Sequence, residues 1–384
     1  MFFGFLRGFM QKNAIVITGF LGYIGFNLTV TLLRLGYNVV GVDRKAENGE
    51  VKRFFDDTEF KCVGKFTPFK ADLTNKDEVD DFIHWCKTKK ITAYAIVHLC
   101  AETKIPESFK NPINTVGNNV LCTHHALQIS SALKAVRFVH ASSITEIDTQ
   151  HWNPYSFSKT LSTEIIHRKS LFDLTSYEYV IISNPLGSLV GVDRSGGAFE
   201  TALCQSMFEG KTLQLSVEKN GIYDEVYKRN FITMFELIAC FMRAITEPKT
   251  STHIPYQNKF IQGFVLNKQD KIQEYSITQF ANYCNKNNDM SIEYVEPVNF
   301  TRTKVILAEP QCNGSYEMNC ATLRDVPDLI FDPPAYFNDE QKAMLKELHN
   351  LFKAHRKDLF CQNVRFELLY KTLVLSRVKK CFIS

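Results

Sequence analysis

At 384 residues, with 45% apolar and 22% charged side chains and a net charge of +4, the chain has the make-up of a soluble globular protein with room for a large core. A charge that small gives no reason to expect a nucleic-acid partner. Eleven cysteines include no C-x-x-C pair, and several fall inside apolar segments, so they read as reduced, mostly buried thiols in a cytoplasmic setting.

In chain order, residues 1–12 form a leader whose apolar stretch is far too short to span a bilayer and carries no cleavage pattern. An apolar strand over 14–18 then runs into Gly19, Gly22 and Gly25, and a helix pattern follows over 23–35. That layout builds a phosphate cradle. Gly19 turns the chain, Gly22 lets the backbone approach a pyrophosphate, and Gly25 lets the helix pack close to its strand with its N-terminus aimed at the anion. A second strand over 39–43 ends in Asp43, where a carboxylate can take the adenosine ribose hydroxyls and repel a 2′-phosphate; NAD is favoured over NADP, although Arg44 next door weakens the distinction. Further strands are predicted over 67–71, 95–99, 137–141 and 179–183, with helices over 76–87, 114–133 and 153–169. Short apolar strands alternating with helices predict an α/β fold with a doubly wound parallel sheet. After Pro185 the pattern loosens into loops, short helices and isolated strands over 259–266 and 291–295.

Ser143 follows the fifth strand, at the carboxyl end where sheet-bound ligands sit. Tyr155 and Lys159 are spaced i, i+4 at the start of the next helix and share a face. A phenol is a poor base at neutral pH, but a neighbouring ammonium and a cofactor's positive nicotinamide both favour the phenolate. Taken alone, the spacing fits a surface Tyr/Lys pair; its place after the fifth strand points to redox chemistry. Other motifs follow the same order: Asp72-Leu73 after the third strand, His98-Leu99-Cys100-Ala101-Glu102-Thr103 at the fourth, Asn119-Val120 in a helix, Asn184-Pro185 after the sixth strand, and Arg229-Asn230-Phe231-Ile232.

From Asn13 to about Pro334 this set resembles the extended short-chain dehydrogenase/reductase family, the NAD-dependent epimerases and dehydratases of nucleotide sugars. The resemblance implies an NAD-binding Rossmann domain over 13–184, a smaller substrate-binding lobe over 185–335 interleaved with the sheet domain, and a basic helical extension over 336–384. It implies cofactor contacts from Gly19, Leu21, Gly22, Tyr23, Ile24, Gly25, Asp43, Asp72, Leu73, Leu99, Ala101, Asn119, Tyr155, Lys159 and Pro185. Substrate contacts fall to Thr103, Ser143, Asn184 and Arg229, and the catalytic set is Ser143, Tyr155 and Lys159. In 4,6-dehydratases of the family an Asp-Glu pair follows the Ser143 position; this chain has Ile144-Thr145 and then Glu146 one place late, which is more similar to UDP-hexose 4-epimerases. The implied mechanism is transient oxidation at C4: Tyr155 takes the hydroxyl proton, NAD takes the hydride, and the keto sugar turns and is reduced on its other face. Relatives often form homodimers through two sheet-domain helices, here 114–133 and 153–169. Rival readings are a net NAD-dependent dehydrogenase or dehydratase, of nucleotide-sugar or 3β-hydroxysteroid type, and an NAD-binding regulator without turnover. Three features depart from the family: only eleven residues separate Ser143 from Tyr155, Gly196-Gly197-Ala198 stands where relatives often place a diphosphate-binding Asn, and no late Arg…Asp clamp is evident near 309–316.

His124-His125 has no carboxylate or cysteine at ligand spacing, so a helix-surface pair is the reading and no metal is expected. Lys104 suits either a substrate contact or a solvated loop. Residues 342–384 hold ten Lys/Arg against three Asp/Glu. They end in Cys381-Phe382-Ile383-Ser384, a C-a-a-X pattern preceded by Arg377, Lys379 and Lys380. Prenylation of Cys381 with membrane-surface attachment is one reading of that end; a chance match in an accessory helix is the other.

Overall fold

The computed structural model describes residues 13–46, 63–146, 153–186, 206, 212–216, 228–246, 258–263, 275–276 and 291–295. The predicted leader, the extension with Cys381, and most of the predicted substrate lobe, including 196–198 and 309–316, lie outside the described residues. Among the described helices none is long and apolar enough to cross a membrane.

Thirteen strands and six α-helices are described: β1 Ala14–Thr18, α1 Tyr23–Arg34, β2 Val39–Asp43, β3 Phe66–Lys70, α2 Lys76–Thr88, β4 Ala93–His98, α3 Ile105–Lys110, α4 Pro112–Ala132, β5 Arg137–Ser143, α5 Pro154–Ser170, β6 Ser176–Ile182, β7 Asn184–Leu186, β8 Leu213–Ser216, β9 Lys228–Arg229, β10 Phe231–Thr233, α6 Met234–Thr246, β11 Asn258–Gly263, β12 Tyr275–Ser276 and β13 Ile292–Val295. Seven strands form one parallel sheet in the order β3-β2-β1-β4-β5-β6-β11. The order reverses between β1 and β4, and that switch point opens a crevice at the carboxyl ends of the strands. The predicted doubly wound parallel sheet is therefore the fold.

Both faces of the sheet are covered, which is why the strands read as apolar runs rather than alternating ones. In β1, Ile15 and Ile17 enter a core shared with Leu28, Leu32 and Leu33 of α1 and Leu237, Ile238 and Phe241 of α6. Ala14 and Val16 enter the opposite core with Phe82 of α2, Ala126 and Ile129 of α4, and Ile166 of α5. The first six strands and the four predicted helices stand within three residues of the predicted ends. The strand predicted as isolated at 259–266 is instead β11, the seventh strand of the main sheet, paired with β6 from Asn258↔Tyr177 to Gly263↔Ile182.

A buried ion pair fixes α6 to the sheet. Arg137 of β5 donates through Nη1 to Glu178 Oε1 of β6 at 3.0 Å and to the Ala244 carbonyl of α6 at 3.1 Å, and through Nε to Tyr94 Oη at 3.2 Å. Both charged side chains are almost fully enclosed. Removing one partner leaves the other charge buried. Arg137→Met is expected to cost about 3–5 kcal/mol in urea unfolding, and adding Glu178→Met is expected to recover most of it. Equal losses in the single and double variants would contradict this account of the pair.

Candidate active site

The crevice begins at Gly19. Its φ of +73° and the 3.0 Å that a Cβ there would leave to Cys100 Cα restrict the position to glycine. A Cβ on Gly25 would stand 2.3 Å from the Gly19 carbonyl oxygen, so only glycine lets α1 sit this close to the turn. Gly22 is the exposed N-cap of α1; it contributes no capping side chain, and the first turn holds no acidic residue. No capping side chain or acidic residue of the first turn therefore competes for the positive N-terminal end of α1, the arrangement that suits a pyrophosphate. Asp43 closes the far side: its Oδ2 accepts the Leu21 N–H at 3.2 Å and its Oδ1 the Lys45 N–H at 2.9 Å. Burial raises the Asp43 carboxyl, against the pull of those two N–H groups and of Arg44 and Lys45. This cradle fits a dinucleotide on its own geometry.

The other predicted cofactor residues fall around the same end of the sheet. Asp72 accepts both the amide and the hydroxyl of Thr74 at 2.8 Å and lies 4.0 Å from Arg44. Leu73 packs in the core, and its carbonyl meets His125 Nδ1 at 2.6 Å. His125 is buried and His124 exposed, so the two are not a surface pair as predicted; the helix turns only one of them outward. Leu99 and Ala101 follow β4, half-buried, and Pro185 is buried in β7. Asn119 spends its amide on the protein: Oδ1 accepts the Glu102 N–H at 2.7 Å, while Nδ2 donates to the Glu102 carbonyl at 3.0 Å and to Ser158 Oγ at 2.8 Å. Among the described residues no group of three or more His, Cys, Asp or Glu is placed to hold a metal.

Helices α4 and α5 are locked by a polar ladder at i, i+4 spacing. Asn119 meets Ser158, and Thr123 Oγ1 meets Ser162 Oγ at 3.0 Å. The ladder runs on into the sheet. Thr18 Oγ1 receives the Leu99 and Cys100 amides at 3.3 and 3.4 Å and donates to His98 Nδ1 at 2.9 Å. His98 Nε2 therefore carries the proton and donates to Thr123 Oγ1 at 3.2 Å, which in turn donates to the Asn119 carbonyl at 2.9 Å. Burial and the charge of Lys159 hold His98 down at about 3, so the ring stays neutral. His140, stacked on His98 at 5.7 Å, is lowered by the same two causes, and neither of its ring nitrogens has a hydrogen-bond partner among the described residues.

Above this floor stand the three predicted catalytic residues. Ser143 is buried at the end of β5, its hydroxyl 2.9 Å from Thr145 Oγ1 and accepting the Thr145 N–H at 3.3 Å. Tyr155 sits half-buried in the first turn of α5, capped by Asn153 Oδ1 accepting the Ser156 N–H at 2.9 Å. Lys159, one turn on, is buried, and desolvation pulls its ammonium down to about 8; Glu146 and the Cys100 and Cys122 thiols push the other way. These thiols are free and 3.7 Å apart. Thr163 lies on the same helix face as Tyr155 and Lys159 and donates to Glu146 Oε2 at 2.8 Å, so that face is turned toward the end of β5. Glu146 Oε1 accepts Ser142 Oγ at 2.6 Å and the Ser143 N–H at 2.9 Å.

Of the predicted substrate residues, Thr103 is exposed in the loop after β4. Asn184 begins β7, its Nδ2 donating to the Asn230 carbonyl at 2.9 Å. Arg229 lies on β9, paired with Tyr275, and its side chain is outside the described residues. Lys104 is exposed at the start of α3. Glu102 was visible in the sequence only as part of a motif; its carboxylate accepts Asn118 Nδ2 at 2.9 Å and Thr115 Oγ1 at 3.3 Å, tying the β4 loop to α4.

Comparison with known proteins agrees with this geometry. Residues 16–170 match the family model for GDP-mannose 4,6 dehydratase. Protein CapI of Staphylococcus aureus is 25% identical over 189 residues, covering 49% of this chain and 53% of that protein. A UDP-glucose 4-epimerase of Rhizobium meliloti is 26% identical over 175 residues, covering 42% and 49%. The chain spans about half the length of the curated relatives it matches. Among solved structures, the UDP-glucose 4-epimerase from Bifidobacterium longum in complex with NAD+ and UDP superposes with a TM-score of 0.60 at 17% identity, over 74% of this chain and 86% of that one. The UDP-glucose-4-epimerase from Stenotrophomonas maltophila, with bound NAD and formylated UDP-arabinopyranose, gives 0.59 at 15% identity, over 74% and 86%. At such identities the likeness is one of fold.

The buried ammonium carries a stability signature. The unfolded chain holds its lysine proton to about pH 10.4, whereas folded Lys159 releases it near 8. The unfolded state therefore binds more protons across that window, and stability rises with pH there. Below it Lys159 destabilises the cofactor-free fold by an amount that Lys159→Met removes. Urea unfolding is expected to show this variant more stable than wild type at pH 7 by about 2–3 kcal/mol, with the gap closing toward pH 10. A less stable variant at pH 7 would contradict the reading.

Proposed function

We propose that this protein is a nucleotide-sugar 4-epimerase that holds NAD in the α1 cradle and oxidises its substrate only transiently at C4. Three features support the cofactor half of this reading: the uncapped α1 N-terminus, the glycine contacts, and a carboxylate, Asp43, at the ribose position. When bound, NAD supplies a hydride acceptor that can return the same hydride. Tyr155 Oη takes the proton of the sugar 4-hydroxyl and gives it back, Lys159 stabilises the phenolate and holds the nicotinamide ribose, and Ser143 Oγ hydrogen-bonds the C4 oxygen. The nucleotide diphosphate falls to Asn184 and Arg229, with Thr103 at the sugar end.

One observation carries the choice of epimerase over dehydratase. Removing water across C5 and C6 needs a carboxylate free to take a proton beside Ser143. The carboxylate that follows Ser143, that of Glu146, is not free for this: its two oxygens are filled by Ser142, the Ser143 amide and Thr163. The reading extends to a homodimer built on α4 and α5, supported by the exposed Ile113 and Leu121 on α4. It extends also to the cytoplasm, supported by free thiols at Cys86, Cys100 and Cys122.

The test is NMR of the purified protein with a panel of UDP-, dTDP- and GDP-sugars and no added cofactor. Conversion of one sugar to its C4 epimer is expected, with Tyr155→Phe lowering turnover by about 100-fold or more. A 4-keto-6-deoxy product would make the protein a dehydratase. Product formed only with added NAD, accompanied by NADH, would make it a net dehydrogenase.

A further inference from the structure

We propose that Glu146 is a positioning residue that sets Ser143 against Tyr155 and Lys159, a role that rests on the epimerase reading for its consequence but not for its geometry. Ile144–Glu146 form a single 3₁₀ turn directly after β5. That tight turn carries the Glu146 side chain back over the strand end, where its two oxygens do different work. Oε1 holds the strand, accepting Ser142 Oγ at 2.6 Å and the Ser143 N–H at 2.9 Å. Oε2 holds the helix, accepting Thr163 Oγ1 at 2.8 Å. One carboxylate thus bridges the strand that carries Ser143 and the helix that carries Tyr155 and Lys159.

The helix face matters. Tyr155, Lys159 and Thr163 recur every four residues, so a bond at Thr163 fixes the rotation of the stripe that presents the other two. The adjacent stripe, Ser158 and Ser162, is held by Asn119 and Thr123 of α4. Helix α5 is therefore clamped from two sides: α4 sets its position along one flank, and Glu146 sets its approach to β5. A hydrophobic residue at position 146 would leave the Ser143 amide and Thr163 without this acceptor and the stripe without its tie to the strand.

Glu146 has a second effect through its charge. The groups that face Lys159 are Glu146 after β5, His140 on β5, His98 on β4, Cys100 after β4 and Cys122 on α4. Both histidines are neutral, and the hydrogen bond with Cys100, followed by burial, pushes the Cys122 thiol up. The carboxylate is the anion that opposes desolvation of the ammonium.

The experiment uses the full-length protein with Glu146→Gln, Glu146→Asp and Glu146→Val. Competitive acetylation of lysines, read by mass spectrometry across pH, gives the midpoint of Lys159 without any substrate. Relative to wild type, Glu146→Gln is expected to move that midpoint down by roughly one unit, while Glu146→Asp holds it near wild type. On the sugar that the panel identifies, Glu146→Val is expected to lower kcat by about 10- to 100-fold with KM within about threefold. Glu146→Gln is expected to shift the alkaline limb of the kcat profile down with the Lys159 midpoint. A purely structural role would lower folded yield and leave that limb in place. An unchanged midpoint in Glu146→Gln together with wild-type kcat in Glu146→Val overturns the proposal. Should wild type convert no sugar, the epimerase reading fails by itself, and the acetylation midpoint alone decides Glu146. Should Glu146→Val not fold, Thr163→Val replaces it, with the same fall in kcat expected and wild-type kcat overturning the brace.

Discussion

A lysine ammonium buried between β5 and the α4–α5 pair is the constraint on which the site depends. Charge removed from water is costly, and an isolated buried ammonium is driven toward its neutral form. Here the surroundings divide sharply. His98 and His140 beneath it are kept neutral, so they add no positive charge, while Glu146 supplies a negative one. The ammonium is left titrating near 8. That leaves it largely protonated at neutral pH, one helical turn along α5 from the Tyr155 phenol. The cost of burying it is borne by the stability of the whole sheet domain, a pattern common where function and stability compete.

The rest of the architecture serves this arrangement. The parallel sheet sets Thr18 of β1, His98 of β4 and His140 of β5 in one row, and β5 runs three residues further, to Ser143. The cradle at Gly19 and Ser143 therefore lie along the same carboxyl edge of the sheet, where ligands of such sheets bind. Thr18 links the two halves directly, since its hydroxyl accepts the amides that lead into the β4 loop and hydrogen-bonds His98 Nδ1. The α4–α5 ladder then fixes the depth at which Lys159 lies. Sequence, packing and chemistry meet in short polar side chains: Thr, Ser and Asn at i, i+4 positions hold the two helices closely.

Much of this is legible in the sequence because the physics is local. Short apolar runs mark the first six strands and helical apolar patterns the four helices, and the glycine triplet marks the turn where a Cβ would collide. What the sequence hides is non-local. β11 reads as an isolated strand because nothing in its own residues names β6 as its neighbour; only the empty edge of the sheet does. α6 stands after a region where the sequence pattern loosens, and its place is fixed by Arg137 reaching the Ala244 carbonyl, a contact across 107 positions. His124 and His125 read as one surface pair because adjacency in sequence says nothing about which of two helical neighbours faces the core. Glu146 was visible as a carboxylate one place late. Whether that displacement disables it or redirects it depends on the 3₁₀ turn, which folds the side chain back onto the strand.

The central claim is that one carbon of the substrate is oxidised and reduced within a single bound complex. The direct measurement is the fate of a deuterium label at C4 of the converted sugar, followed by NMR and mass spectrometry with no cofactor added. The account predicts that the label stays at C4 as the configuration inverts. Loss of the label to solvent, or its appearance in free NADH, would contradict it.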